Sequence, residues 1–229
     1  MSSYLLVHGA WCGGWVWDDL AQRLEKAGHR VTAVDRLPSA GTDPASLGDL
    51  TADADHVRRV LDTLDEPVVL VGHSYGGMVI TELADHPKVR HTVYLAAFWP
   101  QRGQSLLDML GGGAMPNWIV PRDDGALEIT DDLELARDTL CADLDRDRTR
   151  EMLSKAVLQS GSAFVVPSTA PDRGHPTTYM ITERESDNCI PVAAQEAMAA
   201  NADQVVRLPA AHMVQLSRPD ELAQALDRI

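Results

Sequence analysis

Short apolar runs alternate with longer amphipathic segments along most of the chain. The apolar runs are rich in β-branched residues and predict six strands, at Tyr4–His8, Arg30–Asp35, Pro67–Gly72, Thr92–Ala97, Thr178–Thr182 and Gln204–Leu208. The amphipathic segments predict helices at Trp15–Ala27, Leu47–Leu64, Tyr75–Asp85, Val192–Asn201 and Pro219–Ile229. This alternation is typical of an α/β fold, in which helices cover both faces of a mostly parallel sheet.

The alternation stops after Phe98 and resumes only near residue 177. The segment between is rich in Gly, Pro and Asp, and it carries helical fragments with apolar side chains such as Trp118 and Phe164. We expect a single domain with an α/β core at 1–98 and 177–229 and a small inserted cap at 99–176. A cap excludes water from a site and shapes its pocket. The alternative is that these side chains form only a small satellite core.

Composition narrows the possible partners and the compartment. The 229 residues are 45% hydrophobic, and the net charge of −14 repels phosphate backbones and anionic lipids. Nucleic acid and membrane are therefore not expected partners. The three cysteines are spaced for neither a disulfide framework nor a zinc site, and no leader or spanning segment is recognisable. We expect a cytoplasmic protein that needs no metal and no cofactor.

The clearest chemical signal is the pentapeptide Gly-His-Ser-Tyr-Gly at residues 72–76. Its glycines leave space for a sharp turn that lifts the serine above a sheet. Gly-x-Ser-x-Gly fixes only three positions and also arises by chance. Here a predicted strand precedes it and a predicted helix follows it, as a nucleophile elbow requires. Ser74 is therefore the predicted nucleophile.

A serine nucleophile needs a base, and the base needs a carboxylate that orients it. His212 follows the last predicted strand, at the same edge of the sheet as Ser74, and is the predicted base. The acid should follow the preceding strand, where Glu183, Glu185 and Asp187 are available. Asp187 is preferred because local amides can hold a short carboxylate near a helix start, although spacing leaves all three open.

An oxyanion hole needs two backbone N–H groups. Tyr75 supplies one because it directly follows the serine, and Ala10, in the Gly-rich loop after the first strand, is the predicted second donor. Cys12 in the same loop is a weak rival nucleophile because no base is evident beside it. The predicted substrate-binding walls are apolar residues that adjoin these positions or lie in the cap, namely Trp11, Tyr75, Phe98, Trp118, Phe164 and Met213.

With these motifs the chain resembles the α/β-hydrolase superfamily, and within it the plant methylesterase and hydroxynitrile lyase family with its bacterial relatives. The matching segments are 7–15, 27–35, 39–44, 71–77, 187–191 and 211–213. The resemblance implies the α/β-hydrolase fold with a six-stranded sheet. It supports Asp187 as the triad acid, since the family's aspartate stands shortly before an Ile-Pro pair. It also makes a homodimer a reasonable expectation.

Two positions separate the branches of that family. Lyases of this type carry a threonine where this chain has Gly9, and a lysine after the catalytic histidine where it has Met213. Methionine cannot supply the positive charge that stabilises a cyanide leaving group. We therefore expect a serine hydrolase that cleaves a small methyl or aryl carboxylic ester, with an apolar or aromatic part, through an acyl-enzyme on Ser74. The alternatives are a lyase or another cofactor-free enzyme on this scaffold, and a hydrolase-derived ligand-binding or receptor protein with slow turnover.

Overall fold

The computed structural model describes residues 1–183 and 188–229. Its main sheet has six strands: β1 Ser3–Val7, β2 Arg30–Ala33, β4 Val68–His73, β5 Val89–Leu95, β9 Thr177–Thr182 and β10 Gln204–Leu208. They lie in the order β10-β9-β5-β4-β1-β2, and every pair is parallel. The predicted six-stranded parallel sheet is thus confirmed.

The strand order reverses between β1 and β4. The chain adds β2 on one side of β1 and then crosses to add β4 on the other side. Val7 at the end of β1 pairs with Gly72 near the end of β4, so the loops after these strands leave the sheet side by side. Ligand chemistry in open α/β sheets collects at such a switch point.

Ten α-helices are present in the described part of the chain. Six lie in the predicted α/β core: α1 Asp18–Lys26, α2 Leu50–Thr63, α3 Gly76–Thr81, α8 Val192–Ala199, α9 Val214–Ser217 and α10 Pro219–Leu226. The other four are α4 Leu106–Met109, α5 Leu133–Leu140, α6 Arg146–Lys155 and α7 Ser162–Val165. Among the described residues, none of the helices has the length and apolar character needed to span a membrane.

The predicted helices exist but are shorter than expected. The first was predicted from Trp15, yet its opening turn is a 3₁₀ helix over Gly14–Trp17. The second was predicted from Leu47 and begins at Leu50, because the Asp49 side chain caps it by accepting from the amide of Ala52. Caps and 3₁₀ turns are local hydrogen-bond features that hydrophobic periodicity does not report.

A second, antiparallel sheet was not predicted. It contains β3 Ala40–Gly41, β8 Leu158–Ser160, β7 Ala126–Ile129 and β6 Ile119–Pro121, in that order. Three of these strands lie in the segment for which only helical fragments were expected, and they are too short to display a period of two. β3 comes from the core segment, and Ala40 pairs with Gln159. The inserted segment and the core therefore share one sheet.

A buried carboxylate ties the end of the inserted segment to the core. Glu82 follows α3 and is only 8% exposed. Its carboxylate accepts hydrogen bonds from the hydroxyls of Ser168 and Thr169 and, at 3.0 Å, from the amide of Thr169. A buried charge with this many donors is well compensated. Glu82 thus fixes where the chain returns toward β9.

Candidate active site

Ser74 occupies a strained turn between β4 and α3. Its φ of 54° lies in the left-handed region that side-chain-bearing residues rarely adopt. The carbonyl of Ser74 accepts hydrogen bonds from the amides of Gly77 at 3.0 Å and Phe98 at 3.1 Å. The turn also needs Gly76, because a Cβ atom there would lie 2.7 Å from the carbonyl oxygen of Val7. The elbow is therefore held from several sides, as strained functional turns are.

The loop after β1 lies directly against the nucleophile. A Cβ atom at Gly9 would lie 2.9 Å from the Cβ atom of Ser74. His8 shapes this loop, since its Nδ1–H donates to the carbonyl of Gly9 at 2.8 Å and its Nε2 accepts from the amide of Leu37 at 3.1 Å. Both ring nitrogens are used in the neutral form, and burial lowers the pKa of His8 to about 4.

Two adjoining cavities of about 20 Å³ each meet at Ser74. The first brings Ser74 together with His212, Ala10, Trp11 and Met213. The second is apolar and brings Ser74 together with Tyr75 and with the predicted walls Trp11, Phe98, Trp118 and Phe164. All the predicted site residues that the structure describes thus lie around one point. Each cavity has room for roughly one water molecule.

His212 is buried in the loop between β10 and α9, with 1% of its surface exposed. Its carbonyl accepts a hydrogen bond from Nε2–H of His73 at 3.0 Å, and Gln215 Nε2 lies 3.3 Å from Nδ1 of His73. A carbonyl can only accept, so the proton of His73 is on Nε2 and its Nδ1 accepts from Gln215. The rings of His73 and His212 are 4.7 Å apart. His73 therefore positions the backbone of the predicted base.

The inserted segment also forms hydrogen bonds with the histidine loop, residues 209–213, on both sides of His212. The amide of Ala211 donates to Asp143 Oδ2 at 3.0 Å, and the amide of Met213 donates to the carbonyl of Leu140 at 3.1 Å. These two bonds flank His212 in the chain. Neither Asp143 nor His73 was predicted from the sequence as a contributor to the site. His73 stood inside the recognised pentapeptide, whereas Asp143 has no local signal.

Sequence comparison places the chain in a family. The family model described as "Alpha/beta hydrolase family" matches residues 4–225. The chain belongs to the α/β hydrolase family. This α/β hydrolase is 46% identical to a carbendazim-hydrolysing esterase of Nocardioides sp. (strain SG-4G) over 116 residues, which is 48% of each chain. It is 28% identical to polyneuridine aldehyde esterase of Rauvolfia serpentina over 97% of its own length and 93% of that of the relative.

The fold of this α/β hydrolase is also found in solved structures. A pyrethroid hydrolase from Sphingobium faniae superimposes with a TM-score of 0.82 at 27% identity, covering 99% of this chain and 96% of that chain. The relatives named here are esterases or hydrolases. They confirm the family predicted from the motifs and support a carboxylesterase-type serine hydrolase.

The structure describes one of the three candidates for the predicted triad acid. Asp187 and Glu185 lie outside the described residues. Glu183, the third candidate, lies just after β9 at the surface, where its carboxylate pairs with Arg207 at 2.8 Å. Glu183 is thus engaged in an exposed ion pair, and Asp187 stays the predicted acid.

Cys12 lines the same cavity as Ser74 and His212. Burial raises the pKa of its thiol to about 12, so the thiolate that would act as a nucleophile is not formed near neutral pH. Cys12 is therefore a poor nucleophile in this cavity, and Ser74 stays the predicted nucleophile. Within residues 1–183 and 188–229, no three His, Cys, Asp or Glu side chains are grouped as metal ligands would be.

Proposed function

We propose that this α/β hydrolase cleaves a small carboxylic ester through an acyl-enzyme on Ser74. The observation that carries the proposal is the strained elbow, which presents Ser74 in the same cavity as His212. His212 takes the hydroxyl proton while Ser74 Oγ attacks the ester carbonyl carbon, and Asp187 is the proposed acid that orients the imidazole. A buried imidazole held by its own backbone contacts suits this role.

The negative charge on the attacked carbonyl oxygen needs fixed donors. The proposed donors are the amides of Ala10, whose loop touches Ser74 through Gly9, and of Tyr75. Collapse of the tetrahedral intermediate breaks the bond to the alcohol oxygen, which takes its proton from His212. Water, deprotonated by His212, then attacks the acyl carbon and releases the acid together with free Ser74.

The walls favour a substrate with an apolar or aromatic part. The Trp11 ring packs edge-to-face on Trp118 at 5.2 Å and on Phe164 at 5.8 Å, and Phe164 stacks on Tyr75 at 6.0 Å. The cavities are smaller than an ester, so these side chains must move on binding. Ile129 lines the cavity of Ser74 and also an open groove of about 830 Å³. This groove offers space for a larger alcohol or acyl group.

Two observations favour hydrolysis over cyanohydrin cleavage. Any side chain at Gly9 would crowd Ser74, since its Cβ atom would lie 2.9 Å from that of the serine. Met213, 3% exposed, is uncharged and lines the Ser74 cavity, so it offers no cation to a departing cyanide. The lyase and slow-turnover alternatives are not better supported by the comparisons. The cytoplasmic location and the homodimer stay predictions.

The test is a panel of methyl, aryl and thioester substrates with wild type, Ser74→Ala and His212→Ala. Both substitutions should lower kcat by about three orders of magnitude or more, as loss of a triad member does elsewhere. A fluorophosphonate probe should label wild type at Ser74. Ser46→Ala is the matched control, because Ser46 is exposed in the turn that follows Asp43 and its hydroxyl donates to the carbonyl of Asp43.

Full hydrolysis of an aryl ester by Ser74→Ala would refute the mechanism. Release of cyanide from mandelonitrile at a rate above that of ester cleavage would favour the lyase. Tight binding of an ester without product would favour the receptor alternative.

A further inference from the structure

Trp11 is held in an unfavourable backbone conformation by the inserted segment. Its φ of 60° lies in the left-handed region, which a bulky residue keeps only where its surroundings hold it there. The amide of Trp11 donates to Gln159 Oε1 at 3.2 Å, and its carbonyl accepts from the amide of Val157 at 2.9 Å. Its indole N–H donates to the carbonyl of Leu127 at 2.9 Å. Backbone and side chain are thus fixed from β7 and from the chain around β8.

The contact at Gln159 continues through the interior as a chain of hydrogen bonds. Gln159 Nε2 donates to Ser39 Oγ at 2.9 Å, and the Ser39 amide donates to Asp53 Oδ1 at 2.8 Å. The other carboxylate oxygen, Oδ2, accepts from the hydroxyl of Tyr75 at 2.6 Å. None of these four residues is more than 1% exposed. The chain of bonds therefore joins the Trp11 amide to the Tyr75 side chain without crossing water.

This chain of hydrogen bonds ends at residues that carry or adjoin the two proposed oxyanion donors, Ala10 and Tyr75. The N–H of Trp11 belongs to the peptide that joins Ala10 to Trp11, so its hydrogen bond to Gln159 holds the residue that carries the first proposed donor. Tyr75 is itself the second donor, and its side chain is fixed through Asp53. We propose that Gln159, Ser39 and Asp53 are positioning residues that set the two oxyanion donors relative to each other. This inference rests on the proposed function of Ser74.

A role in packing alone would not require this arrangement. Buried amide, hydroxyl and carboxylate groups are unfavourable unless each is hydrogen-bonded, and apolar side chains of similar size would fill the same space more simply. Oxyanion donors act only when they are preorganised at the place where charge develops. The network supplies that rigidity, and its Gln159 belongs to β8 of the inserted segment. This segment is then part of the catalytic machinery as well as a cover.

The first test is Gln159→Met, which keeps the length of the side chain and removes both hydrogen bonds. We expect kcat for an aryl ester to fall about 10- to 100-fold. This fall should not exceed the fall in kcat that follows removal of a direct oxyanion donor. KM should stay within about threefold, because ground-state contacts are unchanged. The Ki of an aryl trifluoromethyl ketone, which forms a tetrahedral oxyanion on Ser74, should rise by the factor by which kcat/KM falls. Gln159→Glu, which keeps the acceptor for the Trp11 amide, should recover part of the loss.

Thr178→Val is the matched control. It removes a buried hydroxyl that bonds His91 at 2.9 Å in the main sheet, far along β9 from the histidine loop. It should lower the thermal midpoint about as much as Gln159→Met while leaving kcat within about threefold. Equal kcat losses in the two variants, or an unchanged kcat in Gln159→Met, would overturn the inference.

Tyr75→Phe tests the other end of the network. If Gln159→Met does not fold, this variant alone tests whether the network positions the oxyanion donors. It removes one hydroxyl, keeps the backbone amide and should give the same fall in kcat at steady KM. The rate of fluorophosphonate labelling separates the two proposals. Absence of labelling in wild type would refute the proposed function and this inference together. Labelling of wild type and Tyr75→Phe at equal rates would refute only the positioning network.

Discussion

His8 couples the stability of the fold to pH. Its ring is fully buried, and burial lowers its pKa from 6.5 to about 4. The unfolded chain binds a proton near pH 6.5, whereas the folded chain does not bind it until about pH 4. The stabilisation from neutral His8 is therefore complete above pH 6.5 and is lost as the pH falls toward 4. At about pH 5 this loss amounts to about 2 kcal/mol, at 1.36 kcal/mol per pKa unit.

Asp53 acts with the opposite sign. Burial raises its pKa from 3.8 to about 6, even though hydrogen bonds from Ser39 and Tyr75 favour the charged form. The folded protein thus binds this proton before the unfolded chain does, and stability is gained as the pH falls from above 6 toward 3.8. At about pH 5 this gain is about 1 kcal/mol. The two groups therefore oppose each other in wild type.

Urea unfolding followed by tryptophan fluorescence, at about pH 7.5 and about pH 5, separates the two effects in single variants. On acidification His8→Gln should lose about 2 kcal/mol less of its free energy of unfolding than wild type does, and Asp53→Asn should lose about 1 kcal/mol more. The baseline stability of each variant at the higher pH is subtracted, so a lost hydrogen bond does not enter the comparison. If both variants follow the pH dependence of wild type within about 0.5 kcal/mol, the reasoning from burial is refuted.

Three further outcomes follow from contacts around Ser74. Gly9→Ala should lower kcat for an aryl ester at least about tenfold, because its Cβ atom would lie 2.9 Å from that of Ser74; normal kcat would show that the loop is free to move. Iodoacetamide at about pH 8 should leave Cys12 unmodified in the folded enzyme and alkylate it in urea, as read by peptide mass spectrometry; rapid alkylation of the folded enzyme would contradict the burial argument. Ile129→Ala should raise the ratio of kcat/KM for a hexanoate over an acetate aryl ester, whereas Val120→Ala, on an exposed neighbouring position, should not change it.

The main sheet could be predicted because its four central strands, β1, β4, β5 and β9, are mostly buried runs. All six residues of β4 are buried, and such continuous apolar stretches between helical patterns have few other interpretations. The elbow was predictable for a related reason, since its glycines, serine and flanking elements are contiguous in the chain. His212 needed only its place after the last strand.

The network around Trp11 could not be predicted in this way. Ser39, Asp53 and Gln159 are far apart in the chain, and each alone is an ordinary polar residue in an unremarkable context. Their partnership depends on the pairing of β3 with β8, two strands of two and three residues that are too short to show alternation. Long-range pairing of this kind is set by tertiary packing rather than by local propensity.

Glu82 has a consequence for recombining this enzyme with its relatives. A chimera that imports a foreign insert must also supply hydroxyl groups at the positions of Ser168 and Thr169, because otherwise the buried carboxylate after α3 loses both hydroxyl donors and keeps the backbone amide at position 169. Each hydrogen bond to a charged group that is lost in this way costs about 1.5 to 3 kcal/mol, a large part of the stability of a typical domain. Successful crossovers are therefore those that fall after Thr169, or those that replace Glu82 together with both hydroxyls.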